Sequence, residues 1–201
     1  MRENAKVRGY VLVLPGGKPE SVDEYQPWRL AGLRTALVTR ALRAKLAPGY
    51  VVEQLDYRYR GWNAPDLPAV RDGEAALRSA RNRFGPVPVV LVGHSMGGRV
   101  AAHLAEGPEG GSVIGVVALA PWWPNDEGRL MPAGKKLQVL HGTADRWTDP
   151  VASRRQTEHA AARGVQAEWR AFDGAGHFML NRPWRWHRLT AEFVDAMLGV
   201  T

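Results

Sequence analysis

One serine of the chain, Ser95, lies in a setting typical of a catalytic nucleophile. It is the centre of the segment Gly93-His94-Ser95-Met96-Gly97. A serine hydroxyl attacks well when it projects from a sharp turn between a strand and a helix, where side chains two residues away would collide with neighbouring backbone. Glycines at both of these positions remove the collisions. The segment therefore predicts a nucleophilic serine.

A serine nucleophile needs a base that removes its proton, and His177 is the best candidate for that base. His177 follows a predicted strand over residues 166–172 and ends the glycine-rich segment that begins at Gly174, so it could reach over Ser95. The other five histidines fit packing or surface roles better: His94, His103, His141, His159 and His187.

The base needs an acid to orient it, and Asp145 is the preferred candidate. It follows a predicted strand over residues 137–141. Three other aspartates also lie in predicted loops: Asp126, Asp149 and Asp173. Asp149 precedes Pro150 and a helical segment, which suits a helix N-cap, and Asp173 is too near the histidine in sequence. Asp126 is left open as an alternative.

These residues must be positioned by the elements around them, and strands and helices alternate along the chain. Such alternation predicts an α/β fold with a mostly parallel six-stranded sheet, covered by helices on both faces. Ligands bind at the carboxyl ends of strands in such sheets, where all three candidates fall. The predicted strands cover residues 10–14, 51–57, 87–92, 113–120, 137–141 and 166–172, and the main helices residues 28–46, 70–84, 98–105, 151–163 and 184–198.

The chain order Ser95, Asp145, His177, with each residue after a successive strand, resembles the α/β-hydrolase superfamily. The resemblance covers nearly the whole chain from Tyr10 onward. It implies a serine hydrolase that cleaves a carboxylic ester or thioester of a small or medium acyl or aryl group through an acyl-enzyme. Within enzymes, the alternatives are a thioesterase, an acyltransferase or a carbon–carbon bond hydrolase with the same triad. A non-catalytic ligand-binding module is the alternative outside enzymes.

The resemblance also implies an oxyanion hole made of two backbone N–H groups. The N–H of Met96, at the start of the helix after the nucleophile, is one candidate. The second comes from the loop after the first strand, where Gly17 is the best candidate and Gly16 and Lys18 are the alternatives. Many relatives carry His-Gly where this chain has Pro15-Gly16.

Only residues 121–136 separate the fourth and fifth predicted strands, so we expect no helical lid. The chain begins at what resembles the family's third strand. It is thus similar to small lidless esterases and to proteins like dienelactone hydrolases, with serine in place of their cysteine. Four aromatic residues near the predicted site either form apolar walls for the substrate or pack against one another: Trp122, Trp123, Trp147 and Phe178.

The composition of the chain excludes some kinds of site and some classes of protein. The chain has 201 residues, a net charge of +7 and no cysteine, which excludes disulfides and a thiolate nucleophile. We expect one domain over residues 1–201. The basic residues are scattered, so we expect no nucleic-acid partner. No apolar run is long enough for a membrane span or a signal peptide, so we expect a cytoplasmic protein. No ligand motif indicates a metal or cofactor, and the oligomeric state is left open.

Overall fold

The computed structural model describes residues 6–199, so residues 1–5 and 200–201 of the expected domain lie outside the described part. Six strands form one sheet in the order β2-β1-β3-β4-β5-β6, and all five pairings are parallel. The predicted α/β class and six-stranded sheet are confirmed. The strands are β1 Gly9–Leu14, β2 Tyr50–Gln54, β3 Val89–His94, β4 Val113–Leu119, β5 Lys136–Gly142 and β6 Gln166–Phe172.

Helices cover both faces of this sheet, as predicted. The five helices are α1 Leu30–Lys45, α2 Pro68–Phe84, α3 Met96–Glu106, α4 Pro150–Ala162 and α5 Pro183–Leu198. Buried side chains of α2, α3 and α4 pack on one face, and those of α1 and α5 pack on the other. None of the described helices is long and apolar enough to cross a membrane.

Strand β1 contributes side chains to both hydrophobic cores, because successive residues of a strand point to opposite faces of the sheet. Tyr10, Leu12 and Leu14 point to the face with α2 and α3. Val11 and Val13 point to the face with α1 and α5. All five side chains are buried, because a parallel strand with helices on both sides has no solvent face.

Every strand and α-helix except β6 differs from its predicted bounds by one to three residues at an end; strand β3, for example, spans Val89–His94 rather than residues 87–92. Strand β2 ends at Gln54 rather than residue 57, and the Tyr57 hydroxyl instead donates to the Pro15 carbonyl at 3.2 Å. Helix α1 begins at Leu30, so Trp28 precedes it. Helix α3 begins directly at Met96, because the nucleophile turn takes a single residue.

The strand order decides which loops meet. Strand β1 lies between β2 and β3, so the sequence order reverses at β1. Leu14 pairs in register with Gly93, which brings the loop after β1 beside the turn after β3. Ligands of open α/β sheets bind at such a reversal. Between β4 and β5 the only helical element is a short 3₁₀ turn, Glu127–Leu130, in agreement with the absence of a lid.

Candidate active site

Ser95 occupies the sharp turn between β3 and α3. Its φ of +55° and ψ of −117° are costly for a residue with a side chain, by about 1–3 kcal/mol. A Cβ at Gly97 would collide with the Leu14 carbonyl, and one at Gly93 would collide with the Gly97 carbonyl. The Ser95 N–H donates to the Leu119 carbonyl at 3.0 Å, which anchors the turn to β4. The glycines therefore permit the turn, and the sheet holds it.

His177 and Asp145 lie in line with this serine. His177 Nε2 is 3.0 Å from Ser95 Oγ, and His177 Nδ1 is 2.8 Å from Asp145 Oδ2. Asp145 and His177 are both buried, while the Ser95 side chain faces a cavity. The three residues form a continuous hydrogen-bonded path from a carboxylate to a hydroxyl.

The Asp145 carboxylate is held by several donors. Its Oδ1 accepts the backbone N–H groups of Trp147 and Thr148 at 2.8 and 2.9 Å, and Oδ2 accepts the Thr148 hydroxyl at 2.8 Å. Burial by itself would raise the pKa of Asp145, but hydrogen bonds from His141, His177 and these backbone groups lower it well below its ordinary value. The carboxylate is therefore charged at neutral pH and fixed in orientation.

The two candidate oxyanion donors are the backbone N–H groups of Met96 and Gly17. The Met96 N–H stands at the first position of α3, where no intrahelical acceptor exists. Gly17 lines the Ser95 cavity, and a Cβ there would collide with the Met96 side chain. The N–H of Lys18 donates to the Arg60 carbonyl at 2.9 Å, so it is already engaged. Of the three loop candidates, this geometry favours Gly17 and Gly16 over Lys18.

A cavity of about 290 Å³ opens beside Ser95 and His177, and three of the four predicted aromatic walls line it: Trp122, Trp147 and Phe178. The Trp147 ring stacks at 25° to the His177 ring, with centroids 6.5 Å apart. Trp123 does not line this cavity. It is 5% exposed, packs in the core and donates its indole N–H to the Gly98 carbonyl at 3.1 Å.

Comparison with known proteins identifies the family of this chain. A model described as the alpha/beta hydrolase family matches residues 11–151. The chain belongs to the alpha/beta hydrolase family. No curated protein sequence matches the chain significantly.

Solved structures of several hydrolases share the fold at low sequence identity. An α/β serine hydrolase without a lid from Xanthomonas campestris is 18% identical with a TM-score of 0.72, over 98% of this chain and 85% of that one. A serine hydrolase homologue from Coxiella burnetii is 16% identical with a TM-score of 0.71, over 95% and 86%. Esterase 2 from Thermogutta terrifontis is 19% identical with a TM-score of 0.69, over 97% and 85%.

The other aspartates of this hydrolase lie away from the base. Asp149 accepts the N–H groups of Val151 and Ala152, so it is the N-cap of α4, as its position before Pro150 predicts. Asp173 is exposed, and Asp126 precedes the 3₁₀ turn after β4. Among the described residues only Asp145 contacts the His177 ring as a carboxylate, and no group of three potential ligands could hold a metal.

Two histidines expected to have packing or surface roles, His94 and His141, are buried and also contact the site. His141 Nε2 is 3.1 Å from Asp145 Oδ2, and its Nδ1 is 2.8 Å from the Ser153 hydroxyl. His94 Nε2 is 3.0 Å from the His177 carbonyl. A sequence signal for His141 was present, because it lies near the end of β5 and only four residues before Asp145. His94 also carried a signal, because it directly precedes Ser95, but its contact with a residue 83 positions away could not be read from the sequence.

Trp122 is held in the cavity wall by a buried ion pair. The Arg99 guanidinium lies 4.1 Å from the centre of the Trp62 ring and 4.7 Å from that of Trp122. Arg99 pairs with Glu127 at 2.7 Å, and both side chains are almost fully buried. This pair couples helix α3 to the 3₁₀ turn after β4, and it fixes one side of the substrate cavity.

Proposed function

We propose that this chain is a serine hydrolase that cleaves a carboxylic ester or thioester, with Ser95 as nucleophile, His177 as base and Asp145 as the orienting acid. The observation that carries the proposal is the hydrogen-bonded path from Asp145 through His177 to Ser95 Oγ. Membership in the alpha/beta hydrolase family supports it. An isolated serine could not attack an ester at a useful rate, because its hydroxyl keeps its proton without an adjacent base.

In the first half of the reaction, Ser95 Oγ attacks the substrate carbonyl carbon and its proton passes to His177 Nε2. The carbonyl oxygen becomes an oxyanion, which accepts the N–H groups of Met96 and Gly17. The tetrahedral intermediate collapses, and the alcohol or thiol leaves with the proton from His177. The acyl group stays on the serine.

In the second half, a water molecule gives a proton to His177 and attacks the acyl carbon. Collapse of the second tetrahedral intermediate releases the acid and returns the proton to Ser95. Asp145 keeps the imidazole oriented in both halves and stabilises the imidazolium by its negative charge. The depressed pKa of Asp145 supports this role, since the carboxylate stays charged throughout.

The cavity suits a small or medium acyl or aryl group. Its aromatic walls offer apolar contact on two sides of Ser95, and no lid helix covers it. The similar protein from Thermogutta terrifontis is an esterase by name, which favours an oxygen ester as the first substrate to test.

The test is hydrolysis of p-nitrophenyl esters of increasing chain length, with wild type beside Ser95→Ala. A fluorophosphonate probe reports covalent labelling of the serine. We expect Ser95→Ala to lower kcat/KM by about 10⁴-fold or more and to abolish labelling. Ser79→Ala, an exposed serine on α2, is the matched control and should behave as the wild type.

Two outcomes would contradict the proposal. Turnover that survives in Ser95→Ala would show that another group performs the attack. Absence of both labelling and turnover in the wild type, across esters and thioesters, would favour a ligand-binding module. The chain-length optimum of an active enzyme would measure the depth of the cavity.

A further inference from the structure

The cavity at Ser95 continues into a larger groove. This groove has a volume of about 740 Å³ and runs between the loop after β1, the start of α1 and the segment after His177. The two spaces share lining residues: Gly16, Gly17, Lys18, Ala31, Arg34 and Phe178. A substrate attacked by Ser95 can therefore extend into the groove.

The charged groups along this continuous space have one sign. Four cationic residues line it: Lys18, Arg29, Arg34 and Arg60. No aspartate or glutamate lines either part. The remaining walls are largely apolar, so a negative charge on the substrate would meet only cations there.

Among these cations, Arg34 stands out because its side chain is partly buried without an ion pair or hydrogen bond in the described part of the chain, whereas the Lys18 side chain, which also has neither, is exposed. Arg60 pairs with Asp23 at 3.3 Å, and Arg29 donates to the Gln26 side chain at 2.6 Å. Arg34 makes neither an ion pair nor a hydrogen bond with any described residue, and its Nε is buried without an acceptor. Buried donors in proteins are almost always satisfied, so this one calls for an explanation.

The Arg34 guanidinium also lies close to the reacting groups. Its Cζ is 4.7 Å from the centre of the Phe178 ring, and that ring is 5.5 Å from the His177 ring. Burial lowers the pKa of Arg34, which shows that part of its hydration is lost, yet an arginine keeps its charge at neutral pH. A charged, partly dehydrated and unpaired guanidinium thus faces the space that the substrate would occupy.

A purely structural role does not account for these contacts. The ring of Phe178 is 38% exposed, so the cation–π contact is one between a surface ring and a charge rather than part of the core. A cation kept for folding would also be expected to pair with a carboxylate, as Arg99 does with Glu127. The missing acceptor is best supplied by a ligand.

We propose that Arg34 binds a carboxylate carried at the far end of the substrate's acyl chain, so that the preferred substrates are half-esters of dicarboxylic acids. The inference rests on the proposed function, since it assigns a substrate class to the same site. A planar guanidinium binds a carboxylate through two parallel hydrogen bonds, which also fixes the direction of the acyl chain. The apolar walls between Arg34 and Ser95 contact the methylene groups.

The test compares pairs of p-nitrophenyl esters that differ only at the chain end. Mono-p-nitrophenyl adipate is compared with p-nitrophenyl hexanoate, and the suberate half-ester with the octanoate. We expect the wild type to prefer at least one charged ester, as a ratio of kcat/KM values. In Arg34→Met this ratio should fall by about 10- to 100-fold, which is the usual effect of losing a charge-assisted hydrogen bond.

Two further variants exclude trivial causes. Arg34→Lys keeps the charge but not the planar donor pair, so it should retain only part of the preference. Arg40→Met removes an exposed arginine from the same helix, outside the groove, and should keep the wild-type ratio. The same ratio in Arg34→Met and wild type would overturn the inference, as would an equal fall in Arg40→Met.

Binding separates this inference from the proposed function. Monomethyl adipate and methyl hexanoate are titrated by calorimetry into Ser95→Ala, with and without Arg34→Met. Tighter binding of the charged ester that depends on Arg34 supports the site even if the wild type hydrolyses nothing. Hydrolysis of both esters without any charge preference would leave the hydrolase proposal standing and refute the role of Arg34.

Discussion

Acid should destabilise this hydrolase through His94, a residue next to the nucleophile. His94 is 2% exposed and packs beside His177, with ring centroids 4.9 Å apart. Burial first, and then the neighbouring His177 charge, lower the pKa of His94 to about 3 from an ordinary 6.5. In the folded protein His94 is therefore neutral at pH 5, and its Nε2 donates to the His177 carbonyl.

The size of the effect follows from proton linkage. Between pH 3 and pH 6.5 the unfolded chain binds a proton at His94 that the folded chain does not, so the free energy of unfolding falls as the pH falls. Each unit by which the pH falls in this window lowers the free energy of unfolding by about 1.4 kcal/mol. Lowering the pH from 8 to 5 should therefore remove about 2 kcal/mol through this residue.

The assay is urea unfolding at pH 8 and pH 5, with wild type beside His94→Gln. Glutamine keeps an N–H donor for the His177 carbonyl but cannot be protonated. The stability loss between the two pH values should be about 2 kcal/mol smaller in the variant. His159→Gln, a change at an exposed histidine on α4, should unfold like the wild type at both pH values.

An equal loss in His94→Gln and wild type would refute this reasoning. A nuclear magnetic resonance titration gives a direct check, because the His94 ring should keep its neutral shifts down to pH 5. A ring that titrates near pH 6.5 would mean that its burial costs the charged form little.

Three further predictions concern the site and the core beside it. Gly17→Ala should lower kcat by about 10²- to 10³-fold, since a methyl group would displace the loop that offers its N–H to the oxyanion. Gly111→Ala, with nothing within 4 Å, is the control and should keep wild-type kinetics. Trp147→Ala should raise KM with little loss of stability, because Trp147 is 72% exposed. Trp123→Phe should leave KM unchanged but lower the free energy of unfolding by about 1 kcal/mol, since the Gly98 carbonyl loses its donor. Enzyme kinetics and thermal unfolding on the same samples would distinguish effects on the site from effects on stability. A change of KM in Trp123→Phe would contradict the placement of Trp123 in the core.

Much of the fold could be predicted because its signals are local. The β-branched residues of β3 favour a strand by their own conformational preference. The two glycines around Ser95 permit a turn that residues with side chains would block. Proline after Asp149 likewise marks the start of α4. Each signal depends on a residue and its near neighbours, so a sequence pattern is sufficient to find it.

The polar contacts around Asp145 could not be predicted in the same way. The Thr148 hydroxyl lies 2.8 Å from Asp145 and 3.2 Å from His177 Nδ1, and only the folded loop decides that it faces inward. Trp122 and Trp123 are identical residues in consecutive positions after β4, so the sequence does not distinguish them. Trp122 lines the cavity and Trp123 is buried in the core, a difference that depends on what the fold places around each ring.

By itself, the sequence determined the alternation of strands and helices, the tight turn at Ser95 and the chain order of three candidate residues, because these depend on steric and hydrophobic preferences of adjacent residues. Only the tertiary structure decided which groups surround Asp145, which tryptophan of the pair after β4 lines the cavity at Ser95, and that the Arg34 side chain lies beside Phe178 without an ion pair to any described residue. Those contacts join residues far apart in the chain, and their energies depend on distance and burial, which exist only once the sheet has assembled.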